Sequence, residues 1–343
     1  MKISMYLKAL FPAMVVWACQ NAEPKVEVQD TAEQEVTEAL LARAQGIFKA
    51  LPESPGLNSA KAQLGKRLYF ETALSANGQM SCNSCHDVKR FGVDREPTSP
   101  GHEGKRGDRN SPTVFNASLH IAQFWDGRAA DLSEQAKGPI LNPIEMGIKD
   151  EKTAEARIKA IAEYGPLFAE AFPENPVVSY QNIADAIAEY EKALITPGRF
   201  DRYINGDIGA LTSDEQAGLQ AFFDAGCITC HMGAGLGGNM FQKFGLMNGP
   251  YWEYTGSTKH DKGKAEVSQK PEDEFMFKVP SLRNVSQTYP YFHDGSVASL
   301  EDACRIMGKT QLNKDLSDEE VGKIVAFLKS LDGELPVEAL PEA

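Results

Sequence analysis

The sequence lacks any apolar run long enough to cross a bilayer, which takes about 20 residues. Its N-terminal apolar run, Ala9 to Ala18, has ten residues and comes after two lysines, Lys2 and Lys8. A basic start followed by a short apolar segment is typical of a secretory signal, which here would span residues 1–18. We therefore expect an exported protein.

The predicted signal ends in the sequence VWAC at 16–19, which resembles a bacterial lipobox although its tryptophan is unusual. In that case a lipid-modified Cys19 becomes the new N-terminus, and Gln20 directs the protein to the outer membrane. The alternative is ordinary cleavage after Ala18, which leaves a free protein. Both alternatives predict the periplasm, with the polar residues 19–38 as a tether.

A surplus of basic residues is also missing, since 35 Lys and Arg stand against 48 Asp and Glu, for a net charge of −13. Removal of the signal, with its two lysines and no acids, would leave −15. Such a charge argues against nucleic acid or an anionic membrane surface as a partner. It would attract a partner protein with a basic docking face, although simple solubility explains most acidic chains.

Long alternating strand patterns are absent, and apolar residues recur at helical spacing instead. Ser213 and Ser317 stand ahead of acidic residues, where helix N-caps are expected. Long connections rich in glycine and proline lie at 92–112, 233–250 and 255–274, and a large prosthetic group would give such loops something to wrap. The pattern predicts an all-α fold with long irregular loops. The predicted helices span 37–51, 59–70, 151–164, 180–195, 213–224, 298–307 and 318–331.

Four of the six cysteines form two matching motifs, CNSCH at 82–86 and CITCH at 227–231. This is the attachment motif of c-type haem, in which both thiols join the haem and the histidine binds its iron. A zinc ribbon would hold its two pairs about 15–20 residues apart. These motifs begin 145 residues apart, and no βαβ pattern suggests a thioredoxin-type site. We expect two haem c groups, held by Cys82, Cys85, His86, Cys227, Cys230 and His231.

Each half of the chain carries one motif, and the sequence PGRFDRYINGD at 197–207 looks like the junction between the halves. The chain is long enough for two domains of ordinary size. We expect an N-terminal domain at 39–207, a C-terminal domain at 208–335 and a short tail at 336–343.

Three long stretches closely resemble the bacterial dihaem cytochrome c peroxidase family and its relative that matures a tryptophan cofactor. They are RNSPTVFNASLH (109–120), FWDGRAADLSEQAKGPILNPIEMG (124–147) and FKVPSLRNVSQTYPYFHDGSVASLEDACRIMGKTQL (277–312). The resemblance covers about residues 40–335. It implies two cytochrome c-like domains, each wrapping one covalently bound haem. The N-terminal haem would be the low-potential one, where peroxide reacts, and the C-terminal haem the high-potential electron-transfer one.

The resemblance also implies the iron ligands. His86 and His102 would hold the first haem, with His102 as a removable ligand on a glycine-flanked loop. His231 and Met307 would hold the second, where a methionine ligand raises the potential. Cys304, one turn from Met307, is expected to be a small buried hydrophobe. By spacing alone, three other methionines compete for the iron: Met240, Met247 and Met276.

Three further residues match catalytic positions of the family. Glu145 would be the acid/base, Gln135 would hold peroxide in the pocket and Trp125 would relay electrons between the haems. Without that context, a helical glutamate is usually solvated and an isolated tryptophan is usually core. Oxygen atoms of three residues match a calcium site near the haem interface: Asn110, Thr288 and Pro290. The remaining histidines are expected to be structural or solvated: His120, His260 and His293.

The resemblance implies reduction of hydrogen peroxide by electrons from a small periplasmic donor, either a cytochrome c or a blue-copper protein (cupredoxin). It also implies a homodimer. Two alternatives stay open at this point. One is oxidation of a protein side chain, although that relative has a tyrosine as an axial ligand where this chain has none. The other is a dihaem electron carrier or peroxide sensor without turnover, which would need neither Glu145 nor a ligand on a flexible loop.

Overall fold

A computed structural model describes Met1 and residues 27–341. The predicted signal, Cys19 and the first part of the predicted tether therefore lie outside the described residues. None of the helices within the described part is long and apolar enough to cross a membrane.

The described part of the chain is mostly helical, as predicted. It contains twelve α-helices and one pair of short strands, joined by long loops and 3-10 turns. The helices are α1 Glu27–Ile47, α2 Ala60–Tyr69, α3 Leu132–Leu141, α4 Glu151–Lys159, α5 Tyr164–Ala171, α6 Tyr180–Lys192, α7 Arg199–Ile204, α8 Ser213–Ala225, α9 Trp252–Thr255, α10 Ala265–Ser268, α11 Leu300–Leu312 and α12 Asp318–Lys329; the strands are β1 Phe241–Lys243 and β2 Met276–Lys278.

The predicted helices are present, but some of their ends move. The helix predicted from Thr37 begins at Glu27, so it includes residues that we expected in the tether. The N-cap predicted at Ser213 is Thr212 instead, because the Thr212 side chain accepts from the N–H of Glu215 and the Glu215 carboxylate accepts from the N–H of Thr212. Ser317 caps α12 as predicted.

Five helices are absent from the prediction: α3, α5, α7, α9 and α10. Helix α3 contains Gly138 and Pro139, which interrupt its apolar spacing. It begins after Asp131, whose side chain accepts from the N–H of Glu134.

The two strands are an exception to the all-α prediction, since three residues are too few to show alternation. They pair antiparallel, with Phe241 opposite Lys278.

Two hydrophobic cores account for the packing. In the N-terminal core, α6 packs against α2 and α3 through fully buried side chains such as Leu68 and Ile187. In the C-terminal core, α8 packs against α12, with the rings of Phe222 and Phe327 5.2 Å apart.

Each core also takes residues from the far end of the chain. Phe48, which follows α1, lies in the C-terminal core against Phe200 at 5.6 Å and Phe223 at 5.8 Å. Conversely, Ala339 lies in the N-terminal core, where its carbonyl accepts from the Tyr190 hydroxyl at 2.7 Å. The domain boundaries expected from the sequence stay a prediction, but the two ends of the chain cross over between the cores.

We predict that G218A destabilises the C-terminal core. A Cβ on Gly218 of α8 would lie 2.1 Å from the carbonyl oxygen of Lys323 in α12, so the helices must separate, at a cost of about 1–3 kcal/mol. Gly322 of α12 offers the matched control, because a Cβ there meets nothing within 4 Å. G322A should be more stable than the parent by about 0.5–1 kcal/mol. Thermal melting followed by circular dichroism measures both, and a G218A protein that melts no lower than the parent contradicts the close contact.

Candidate functional site

Both Cys-x-x-Cys-His motifs fold into a tight 3-10 turn. In each, the histidine N–H donates to the carbonyl of the first cysteine, at 3.0 Å from His86 to Cys82 and at 3.1 Å from His231 to Cys227. The turn presents the two thiols and the imidazole to one cavity. That is the arrangement that covalent attachment and iron binding require.

Three neighbouring cavities lie at and between the two motifs. The first cavity lies against the motif at 82–86 and the second cavity against the motif at 227–231. A middle cavity lies between them. Two residues line all three cavities, Trp125 and Lys278.

Burial disfavours the thiolate form of the motif cysteines. It raises the pKa of Cys85 to about 11 and that of Cys227 to about 12, and it also raises the pKa values of Cys82 and Cys230. Among the described residues the five cysteines are free, and no cluster of three or more His, Cys, Asp or Glu could hold a metal ion. The residues fit an attached haem.

The two motif histidines are neutral, because burial lowers the pKa of each. Neutral imidazole is the form that binds iron. Nδ1 of His231 lies 2.9 Å from the carbonyl oxygen of Leu236. With its hydrogen donated there, His231 keeps the lone pair of Nε2 for a metal.

The second cavity receives Met307 of α11 together with His231. None of the competing methionines, Met240, Met247 and Met276, lines this cavity, and Met247 is 58% exposed. Cys304 lines the same cavity, and burial raises the pKa of its thiol to about 12.

The first cavity brings together Glu145, Gln135 and Trp125, the three residues predicted to serve catalysis. Nδ2 of Asn142 donates to Oε1 of Glu145 at 3.0 Å. Burial raises the pKa of Glu145 above its ordinary value, while the charge of Arg128 and this hydrogen bond oppose the rise. A carboxyl with a raised pKa can accept a proton and return it.

His102 does not line the first cavity in this structure. Its N–H donates to the carbonyl of Glu145 at 2.8 Å, and its Nδ1 lies 3.2 Å from the same oxygen. The ring packs against Gly147, where a Cβ would lie 2.3 Å from Cε1. His102 is therefore next to Glu145 but on its backbone side.

The predicted calcium residues Asn110, Thr288 and Pro290 all line the middle cavity. Nδ2 of Asn110 donates to the carbonyls of Glu96 and Pro97 at 2.9 and 3.3 Å, which directs the amide nitrogen away from any cation. The carbonyl of Asn110 accepts from the indole N–H of Trp125 at 3.0 Å.

A polar access cleft adjoins the first cavity and shares Glu145, Arg109 and Arg128 with it. The Arg109 guanidinium donates to Asp261 at 2.6 Å and to Asp126, so it is held in place. Neither arginine was predicted from the sequence to belong to the site. Both could have been found, because each lies within one of the long matching stretches.

Of the remaining histidines, His293 is buried and His260 is exposed. His293 is 2% exposed and stacks on Phe277 at 4.2 Å. His260 stacks on Trp252 at 3.9 Å. His120 lines the first and middle cavities and pairs with Lys278, a contact that sequence reasoning also missed.

The family model for di-haem cytochrome c peroxidase matches residues 59–209, and that for cytochrome c matches residues 216–332. The cytochrome c551 peroxidase of Pseudomonas aeruginosa is 45% identical over 307 residues, which is 87% of this chain and 88% of that protein. The cytochrome c551 peroxidase of Nitrosomonas europaea is 46% identical, over 87% of this chain and 86% of that protein.

Among solved structures, a MauG-like protein associated with microbial copper homeostasis superposes with a TM-score of 0.72. It is 30% identical, over 83% of this chain and 94% of that chain. Fold and site thus define a c-type cytochrome with two haem c groups. The chain belongs to the dihaem cytochrome c peroxidase family, oxidoreductases that act on hydrogen peroxide. The expected fold class and the two haem c groups are confirmed.

We predict that C227A/C230A removes one of the two haems, since both thiols of one motif are lost. The matched control is C304A, which removes a thiol from the same cavity but lies outside the motif, so both haems should remain. Pyridine haemochrome spectra and the intact mass give the number of haems per chain. Loss of a haem in C304A would show that Cys304 takes part in attachment.

Proposed function

We propose that this protein reduces hydrogen peroxide to water in the first cavity, with Glu145 as the acid/base. The observation that carries the proposal is the position of the Glu145 carboxyl. It faces the same cavity as His86 and Gln135, is held by Asn142 at 3.0 Å and has a raised pKa because it is buried.

The two cavities differ in the groups that face the metal. In the second cavity, His231 and Met307 would both hold the iron of a haem, which would suit that haem to electron transfer. The first offers His86 on one side and the polar residues Gln135 and Glu145 elsewhere. The haem bound in the first cavity supplies the iron that binds and reduces the peroxide.

The protein residues handle the protons. Peroxide reduction to two water molecules consumes two electrons and two protons. The Glu145 carboxylate takes the proton from one peroxide oxygen and returns it to the other, which leaves as water. Gln135 holds peroxide by hydrogen bonds during that transfer. Because that proton belongs to the peroxide itself, both of the consumed protons come from solvent, and the access cleft at Glu145 provides the route.

His102 is the proposed removable ligand of the first haem. Its loop lies directly on the backbone of Glu145, and Gly101 is so close that a Cβ there would lie 1.6 Å from the carbonyl oxygen of Ile144. Residues 100–106 are thus poised beside the cavity without lining it. Movement of this loop would let His102 seal the site or leave it.

Trp125 is the proposed electron relay, because it borders both haem cavities and its indole N–H is fixed on Asn110. A calcium ion at Asn110, Thr288 and Pro290 would stiffen that same link. The three residues share the middle cavity, and oxygen atoms are the ligands that calcium prefers. Water would complete the coordination shell.

The electron donor is a small cytochrome c or a cupredoxin, and the negative charge of −13 favours a donor with a basic docking face. Export to the periplasm rests on the predicted signal, and a lipid anchor at Cys19 rests on the lipobox-like sequence. A homodimer is proposed from the family resemblance.

We predict that E145Q keeps both haems yet loses peroxide turnover by at least about a hundredfold, because glutamine cannot take up the proton. The assay is peroxide-dependent oxidation of reduced cytochrome c, repeated with a reduced cupredoxin, before and after one-electron reduction of the enzyme. The control is E134Q, which changes an exposed glutamate of α3 that pairs with Lys137. Survival of turnover in E145Q would refute the role of Glu145.

We predict that N142A moves the acid limb of the pH profile of kcat/KM to higher pH. The hydrogen bond from Asn142 lowers the pKa of Glu145, so its loss raises that pKa and the carboxylate forms only at higher pH. Activity below the limb should fall, while activity on the plateau changes less. N58A, at an exposed asparagine, is the control. An unmoved acid limb, or one at lower pH, counts against proton uptake by Glu145.

A further inference from the structure

Lys278 is a buried lysine between the two haem cavities. It ends strand β2, where its N–H donates to the carbonyl of Trp125 at 2.8 Å. The residue is 5% exposed, and it lines the first, middle and second cavities. Burying an ammonium group without an anion is costly, so Lys278 requires a compensating interaction.

No carboxylate of the described residues lies within ion-pair distance of Lys278. The two other cations that line the first cavity are paired, Arg109 with Asp261 and Arg128 with Asp126 at 3.0 Å. Lys278 contacts His120 instead, with 2.8 Å between Nζ and Nδ1. Burial without an anion lowers the pKa of Lys278 to about 8.

His120 provides a second hydrogen-bond donor beside the ammonium group of Lys278. When its Nδ1 accepts from the ammonium group, the ring hydrogen is on Nε2. That Nε2 is buried and has no hydrogen-bond partner within the described part of the chain. The ring is fixed in place by Gly238, where a Cβ would lie 2.2 Å from Cδ2. The pair therefore offers hydrogen-bond donors and a positive charge, and it lacks an acceptor.

The residues that line the middle cavity indicate on which side of it a hydrogen-bond acceptor for Lys278 and His120 would lie. Where the middle cavity borders the first, most of the shared lining is polar and includes Asn110, Ser111 and Thr113, beside the apolar Pro112, Phe124 and Trp125. Where it borders the second, the lining is apolar apart from Lys278. That apolar lining consists of Trp125, Pro280, Leu282, Val285, Tyr291 and Phe292.

We propose that Lys278 and His120 form a binding site for one propionate carboxylate of the haem in the first cavity. Haem carries two such carboxylates, and this one would receive the ammonium charge and the imidazole hydrogen together. Both residues act as positioning residues: they fix the rotation of the haem and hold a positive charge beside it. The inference rests on the haem placement made in the proposed function.

A positive charge that stays next to the haem favours the reduced iron, so its removal should lower the midpoint potential. In K278M the ratio of reduced to oxidised first haem, at a fixed ambient potential, should fall about tenfold, which is about 59 mV for a one-electron couple. Spectroelectrochemical titration of the holoprotein measures this ratio. Resonance Raman spectra should also show a shifted propionate bending mode in K278M.

The matched control is K262M, which removes the same charge from a lysine that is 58% exposed and pairs with Glu274. It should leave the potential and the Raman mode unchanged. K278R keeps the charge and should retain most of the potential. H120F keeps Lys278 but loses the imidazole, so it should shift the propionate mode and lower the potential by less than K278M does.

The inference is overturned if K278M changes the first haem potential and the propionate mode no more than K262M does. If K278M cannot be obtained with haem attached, the propionate bending mode of H120F is the test. An unchanged mode in H120F then overturns the inference. Haem content measured on the same samples separates this outcome from incomplete haem attachment, which would show as fewer than two haems per chain in the parent protein. Failure of the proposed function shows separately, as turnover that survives in E145Q.

Discussion

The hydrogen bond from the histidine N–H to the first cysteine carbonyl is present in both motifs, at 3.0 and 3.1 Å. It closes a turn so short that two thiols and an imidazole must face the same way. Everything else in the structure is arranged around the two cavities that these side chains border. Helices α3 and α6 line one, and α8, α11 and α12 line the other. The crossing of the chain ends then ties the two cores together, because each core is completed by residues from the far end.

The proposed acid/base residue, Glu145, and the proposed removable ligand, His102, are linked through one peptide group. The carbonyl of Glu145 accepts from the N–H of His102 and lies 3.2 Å from its Nδ1, while the Glu145 side chain faces the first cavity. Any movement of His102 toward a metal in that cavity must break these contacts. It would therefore disturb the backbone that also positions the carboxyl group. A gate and a proton carrier that share a peptide group can be switched by the same event.

The parts of the site that could be predicted from the sequence are those defined by short motifs. Cys82, Cys85 and His86 lie within five residues of one another, and Glu145 lies in a long matching stretch. The helices with regular apolar spacing could also be predicted. Helix α3 could not, because Gly138 and Pro139 interrupt its apolar spacing. The contact of Lys278 with His120 joins residues 158 positions apart. Both residues lie in long matching stretches, but nothing in those stretches pairs one with the other, so only the folded chain brings them together.

The charges around the first cavity determine which of its groups can carry protons. Two buried carboxyls line it, Glu145 and Glu191, and burial alone raises the pKa of Glu191 to about 8. Both carboxyls thus resist ionisation, which keeps negative charge low where haem propionates add more. Lys278 supplies positive charge at the opposite, middle-cavity side. Glu145 itself has no strong ion pair, since Arg128 acts on it only at a distance while bonded to Asp126. A carboxyl locked in an ion pair would hold its charge and could not return a proton, so a propionate bound at Lys278, as proposed, would leave Glu145 able to serve in the proposed proton transfer.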